Sequence, residues 1–221
     1  DAMLNAPELG LWVVADGMGG HQFGDAASQK IVEVLADLPL SGGFTDQVNW
    51  ISDQLQLVNH SLCAMAKNIG QGAVIGSTVV SLFACADQCA VIWAGDSRLY
   101  QLRNGQLKQL TRDHTLLDEL INTTNMSREA ALQQVGANVI TRAVGGQAIL
   151  DVDVIFFQAE KGDRYLLCSD GLDKEVNDEE ITYWLSSESC HLAVEGLINL
   201  ALSRNGIDNI TVLVADFNGL S

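Results

Sequence analysis

Aspartate recurs in this sequence where apolar segments end. Leu11 to Ala15 runs into Asp16-Gly17-Met18-Gly19-Gly20, Tyr165 to Ser169 runs into Asp170-Gly171, and Asp208-Asn209 stands directly before Ile210 to Val214. Each apolar run reads as a buried strand, which puts each carboxylate at a strand mouth. Turn chemistry explains any one of them, because Asp-Gly and Asp-Asn are common loop dipeptides. It explains the set poorly, and convergence on one site explains it well. With Asp1 as a fourth member, like charges about 4 Å apart repel by roughly 4 kcal/mol per pair at an effective dielectric near 20, so the cluster needs cations between its members. All-oxygen ligation selects hard ions, Mg²⁺ or Mn²⁺. A carboxylate shared by two such ions holds a hydroxide between them, able to attack phosphorus in line while the ions and a cationic side chain neutralise the phosphoryl oxygens. No protein nucleophile is required.

Other phosphate chemistries fit less well. Asp151-Val152-Asp153-Val154-Ile155 partly matches the DxDx(T/V) motif of haloacid-dehalogenase phosphatases, which would make Asp151 a nucleophile. Its strict alternation reads more simply as an edge strand with acidic residues facing water. A cysteine phosphatase needs Arg six residues after its Cys, and those positions hold Ile69, Val91, Gly95, Lys174 and Gly196. Four histidines and no Gly-Asp-x-His-Gly disfavour a His-rich metallophosphatase.

The chain of 221 residues suits one domain over 1–221 with a sizeable core. Its net charge of −16 argues against nucleic acid or an anionic membrane surface as partner, since both are bound through surplus Lys and Arg. The cysteines form no CxxC pair, and four of the five lie in apolar runs where a buried thiol is the ordinary outcome, which points to a reducing, cytoplasmic setting. The long uncharged stretch 68–86 is interrupted by Asn68, Gln71, Ser77, Thr78, Ser81 and glycines, so it reads as a strand pair rather than a membrane span. No leader pattern opens the chain, and the absent initiator Met implies that the native start lies upstream.

To position the carboxylates, the sequence offers helices at 45–68, where Val48, Ile51, Leu55, Val58, Leu62 and Met65 recur at three and four residues, and at 25–37, ended by Pro39. Ser127 caps a helix through 135, Asn177 with Glu180 forms a capping pair for another, and 191–203 completes five. Strands are predicted at 10–15, 73–86, 89–94, 98–103, 106–110, 151–157, 164–169 and 210–216, with Asn104-Gly105 as a two-residue hairpin turn. Short turns between consecutive strands imply antiparallel sheets, and the grouped helices argue for an α+β fold over a doubly wound parallel one.

Seven motifs in order then resemble bacterial metal-dependent Ser/Thr phosphatases of type 2C, the PPM family. They are Asp16-Gly17-Met18-Gly19-Gly20-His21, Gly76-Ser77-Thr78, Gly95-Asp96-Ser97-Arg98, Leu110-Thr111-Arg112-Asp113-His114, Thr141-Arg142-Ala143-Val144-Gly145, Ser169-Asp170-Gly171-Leu172 and Asp208-Asn209-Ile210-Thr211. Asp1-Ala2 resembles the end of the family's opening acidic motif. The resemblance implies a four-layer αββα sandwich, two antiparallel β-sheets flanked by helices, with a mobile flap near 114–140. It implies two core Mn²⁺ or Mg²⁺ ions, with Asp16 bridging both, Gly17 offering its carbonyl, Asp170 and Asp208 completing one shell, and Asp1 contributing directly or through water. Asp16, Asp170 and Asp208 would be the catalytic set, and Asp113 with Asp170 would hold a third ion.

In two places the chain departs from the family. Met18 stands where eukaryotic relatives often carry a His proposed as general acid, and the family's phosphate-binding Arg would lie upstream of Asp1, along with an edge strand. Within the chain Arg142 is the candidate phosphate clamp. His21 is expected to orient rather than react, and Asp96 and Arg98 to support the sheet edge. The activity implied is hydrolysis of phosphoserine and phosphothreonine in proteins by a monomer opposing a Ser/Thr kinase, with a pseudophosphatase that only binds as the alternative.

Overall fold

Side chains that alternate between two faces build two antiparallel sheets packed on one another. The computed structural model describes residues 1–19, 21–39, 41–70, 72–124, 126–135, 139–204, 206 and 208–218. The first sheet has the order β1-β2-β5-β6-β9, from β1 (Ala2–Ala6), β2 (Leu11–Ala15), β5 (Val79–Cys85), β6 (Gln88–Ala94) and β9 (Asp153–Gln158). The second has the order β11-β10-β7-β8, from β7 (Arg98–Arg103), β8 (Gln106–Gln109), β10 (Asp163–Cys168) and β11 (Val212–Phe217). A two-stranded ribbon, β3 (Gly17–Met18) with β4 (Gly76–Ser77), sits at the end of the first sheet.

Alternation decides what each face meets. Leu11, Val13, Ala90 and Ile92 pack outward against Ile31 and Leu35 of α1 (His21–Leu35) and Ile51, Leu55 and Leu62 of α2 (Phe44–Ile69). Val14, Val91 and Trp93 point the other way and meet Leu99, Tyr165 and Leu167 of the second sheet. On that sheet's outer face Leu166 and Cys168 pack on Ile181 and Leu185 of α6 (Asp178–Leu185) and Leu197 of α7 (Cys190–Arg204). The result is the expected αββα arrangement. Each fully buried Leu or Ile contributes about 1.5–3 kcal/mol.

Local signals mostly held. Asn177 and Glu180 make the reciprocal capping box of α6, and Asn104 and Gly105, at φ 51° and 75°, turn β7 into β8. Ser127 Oγ accepts from Ala130 N at the start of α4 (Arg128–Val135). Where periodicity misled, the cause is short range. The helix expected at 25–37 runs His21–Leu35 and stops before Pro39. The strand expected across 73–86 is broken at Thr78, because β4 leaves the sheet to pair with β3. The acidic stretch at 151–157 is an edge strand, as read, but begins at Asp153. Unforeseen were the short elements: β1, the 3-10 turn Pro7–Leu9, the two-residue β3, α3 (Leu116–Thr124) and the one-turn α5 (Asp170–Asp173).

The excursion at 114–140 holds α3 and α4 and is tied at its base by Leu116 N to Val139 O (2.8 Å) and Thr141 N to His114 O (2.8 Å). Asn125 and residues 136–138 of that stretch lie outside the described residues. All five cysteines are free, and only Cys89 and Cys168 are buried; Cys85 is exposed at a strand end, so apolar neighbours overstated thiol burial. Among the described residues no helix is long and apolar enough to cross a membrane.

Candidate metal centre

The strand register delivers the acidic residues to one end of the sandwich. Pairing of Ala2 with Ala15 in β1 and β2 brings Asp1 and Asp16, the next residues out, to the same end of the first sheet. Asp16 is then fixed by its backbone: its N–H donates to Thr78 Oγ1 (3.1 Å) and its carbonyl accepts from Thr78 N (2.8 Å). Thr78 Oγ1 also meets Ser97 Oγ (2.7 Å), in the crossover from β6 to β7 that joins the two sheets. Gly17 has to be glycine, because a Cβ there would stand 2.0 Å from the Gly24 carbonyl oxygen.

In the second sheet, Ser169 N donates to Thr211 O (3.1 Å) and Thr211 N donates to Ser169 Oγ (3.0 Å). The close approach requires Gly171, whose Cβ would lie 2.1 Å from Asn209 O. Asp170, first residue of α5, and Asp208 are thereby drawn together. Thr211 Oγ1 reaches across to donate to Asp1 Oδ2 (2.7 Å), so Asp1 is bonded to the 208–211 segment.

These carboxylates share one electrostatic field. Burial first, then Asp170, Asp208 and Asp96, push the Asp16 carboxyl up to about 7. Asp96, raised to about 6 by burial, Asp170 and Asp113, therefore belongs to the cluster rather than merely to the sheet edge. Asp170 Oδ1 is buried with no hydrogen-bond partner, a cost of about 1–3 kcal/mol or more that a cation would relieve. Among the described residues no three Asp, Glu, His or Cys side chains already enclose a common point. Instead the Lys174 ammonium lies 2.5 Å from Asp170 Oδ2 and 3.4 Å from Asp208 Oδ2. Hard oxygens, an orphaned lone pair on Asp170 and the destabilised ionised form of Asp16 fit a divalent ion.

Two clefts flank the cluster. One of about 570 Å³ is lined by Asp1, Gly17, Met18, Asp25, Asp208 and Thr211. The other, about 200 Å³, is lined by Asp96, Arg98, Asp113, Asp170, Asp173 and Lys174 among others. Asp113 is here, but both its oxygens are engaged: Arg98 Nε lies 2.9 and 3.1 Å from them, and Arg98 NH2 2.6 Å from Oδ2. Arg98 NH1 also pairs with Asp173 (2.9 Å), a buried carboxyl raised to about 7 by that burial and by Asp113, Asp170 and Asp96, against the pull of Arg98.

Arg142 lines neither cleft; it pairs with Asp153 (3.0 Å) and Asp151 (3.1 Å). His114 is buried away from Asp113's cleft, accepting from Gly95 N at Nδ1 (3.2 Å) and facing Asp153 at Nε2 (3.2 Å), with burial lowering its pKa. The side chain of His21 lies outside the described residues. Sequence reasoning gave no individual role to Asp25, Asp173, Lys174 or Thr211. Lys174 carries the signal of its i,i+4 spacing from Asp170, and Thr211 stands in the sequence only as the last member of the Asp208-Asn209-Ile210-Thr211 motif.

The profile of the family Protein phosphatase 2C matches residues 2–196. The chain belongs to this family. A serine/threonine phosphatase stp of Listeria welshimeri is 36% identical over 211 residues, spanning 93% of this chain and 84% of the relative. PppA, described as a key regulatory component of T6SS in Pseudomonas aeruginosa, superposes with a TM-score of 0.89 at 42% identity, over 97% of this chain and 89% of that one. The catalytic domain of serine threonine protein phosphatase PstP in complex with 2 manganese ions superposes with a TM-score of 0.80 at 34% identity, over 93% and 86%. This 2C phosphatase is thus a metal-dependent enzyme using Mg²⁺ or Mn²⁺.

Proposed function

We propose that this 2C phosphatase hydrolyses phosphoserine and phosphothreonine in proteins at the cleft around Asp16, and that Asp1, Asp16, the Gly17 carbonyl, Asp170 and Asp208 are the groups that would hold the two core ions. The observation that carries this reading is Asp16 held in the field of Asp170 and Asp208 at the same end of the sandwich as a buried, unpartnered Asp170 oxygen. A binding module has no need of such a cluster, which disfavours the pseudophosphatase alternative. When bound, the ions supply Lewis acidity to the phosphoryl oxygens and acidify water enough for it to attack at neutral pH.

The chain's own groups do the rest. Asp16, Asp170 and Asp208 must be ionised to act as ligands, and Thr78 and Ser169 hold the backbones that aim them. A covalent route is unsupported: burial raises the Cys168 thiol well above its usual range, and Asp151 is exposed and paired with Arg142. Met18 lines the larger cleft but has no proton to give, so the leaving oxygen takes its proton from elsewhere. As a phosphate clamp Arg142 would first exchange Asp151 and Asp153 for substrate. A third ion between Asp113 and Asp170 would likewise take an oxygen of Asp113 from Arg98.

The reading also makes the chain one catalytic domain, a monomer, working in the cytoplasm against a Ser/Thr kinase on that kinase's phosphoproteins. Release of phosphate from a phosphothreonine peptide should require Mn²⁺ or Mg²⁺ and cease with EDTA. Full turnover in chelator would defeat it, and metal binding without any turnover would reinstate the pseudophosphatase.

A further inference from the structure

Lys174 is the C-cap of the one-turn helix α5, a single turn from Asp170, and its ammonium bridges that carboxylate and Asp208. Both carboxylates stand on backbone fixed by the Ser169–Thr211 bonds, whereas the lysine reaches them on a flexible four-carbon stem about one third exposed. Asp170 offers Oδ2 to Lys174 while Oδ1 has no partner. The positive charge that the acidic cluster needs is therefore supplied, in part, from within the chain. A divalent ion taking those same oxygens would meet a like charge at close range, in a partly desolvated site where such repulsion is strong.

We propose that Lys174 is a built-in competitor for the metal, its ammonium pairing with Asp170 and Asp208 in the metal-free protein and withdrawing to solvent as the ion takes its place. The inference rests on the metal-centre reading above. It gives the lysine two opposed effects: it shields the empty cluster from its own repulsion, and it weakens ion binding, so that occupancy responds to metal concentration. Lysine suits this better than arginine. An ammonium makes point contacts and hydrates readily, whereas a guanidinium would lock a carboxylate with two parallel bonds.

The test uses the full chain stripped of metal. Isothermal titration calorimetry with Mn²⁺ should show Lys174→Met binding its tightest ion about tenfold or more tightly than the parent, since a competing charge is gone. The same variant should melt lower than the parent without metal. In the parent, Lys174 should be acylated severalfold faster by an amine-reactive reagent once Mn²⁺ is bound, read by peptide mass spectrometry. Equal or weaker Mn²⁺ affinity in the variant would overturn the inference, as would unchanged or slower labelling in the parent. Should Lys174→Met fail to fold, the parent's labelling decides alone. If the parent binds no Mn²⁺, the metal-centre reading falls and the inference with it; if the parent binds and the variant gains nothing, only the inference falls.

Discussion

Thr78 holds Asp16 from both sides of its backbone, accepting its N–H at 3.1 Å through the hydroxyl and donating its own N–H to the Asp16 carbonyl at 2.8 Å. The same hydroxyl meets Ser97 at 2.7 Å. One fully buried side chain thus aligns a metal-ligand candidate and joins the two sheets. Thr78→Val keeps the volume but leaves the Asp16 N–H and Ser97 Oγ without that partner, at a cost of about 1–3 kcal/mol. At about 2–4 °C per kcal/mol for a chain of this size, the melting temperature should fall by several degrees. Turnover should fall about tenfold or more through misaligned Asp16, and Thr78→Ser should restore most of both. Parental kinetics in the Val variant would show that the clamp does not position the site.

Replacing Asp16, Asp170 or Asp208 by Asn should lower turnover by about two orders of magnitude or more. The fold should survive, since the metal-free cluster is self-repelling. Excess Mn²⁺ should raise the parent's melting temperature by mass action and raise that of the variants much less. Parental activity in any of the three removes that residue from the site, and collective unfolding would make the trio structural.

The pH dependence of metal-free stability has a definite sign. Asp16 rises on folding to about 7 through burial and its acidic neighbours. A carboxyl raised in this way contributes fully below its unfolded value of about 3.9, and that contribution is lost as the pH climbs toward the folded value. His114, lowered by burial, acts oppositely near its own range. Asp16→Asn removes the first effect and leaves the second. Without metal the variant's lead over the parent should be smallest below about pH 4 and should grow as the pH rises to about 8; a constant difference across that window would contradict the shared field.

Asp113 separates metal from salt-bridge roles. Its paired oxygens hold Arg98, whose side chain is largely buried, so Asp113→Ala should cost about 3–5 kcal/mol by stranding that charge between fewer partners. Asp113→Asn keeps the volume and an acceptor. If a third ion uses Asp113, the Asn variant should lose turnover while retaining two Mn²⁺ per chain by calorimetry. Turnover equal to the parent's would leave Asp113 only its partnership with Arg98.

Much of this was legible in the sequence, because alternation and capping are local. Periodicity at Leu11–Ala15 and Asp163–Cys168 marks strands whose mouths carry Asp16 and Asp170, and Asn177 with Glu180 announces α6. The motif order fixed the family. What it left open are contacts between segments that only packing brings together. The five-residue edge strand β1 alternates too weakly to be seen, yet its register sets where Asp1 lies. Arg142 looked free for phosphate until the fold set Asp151 and Asp153 beside it, and Asp113 looked like an open ligand until β7 brought Arg98 to it. Lys174 shows its spacing from Asp170 in the sequence, but Asp208 joins the pair only because Thr211 bonds Ser169 across the second sheet. A side chain's type and its near neighbours are written along the chain, whereas the charge it faces depends on which strands lie side by side, and that is decided by burying both faces of two sheets at once.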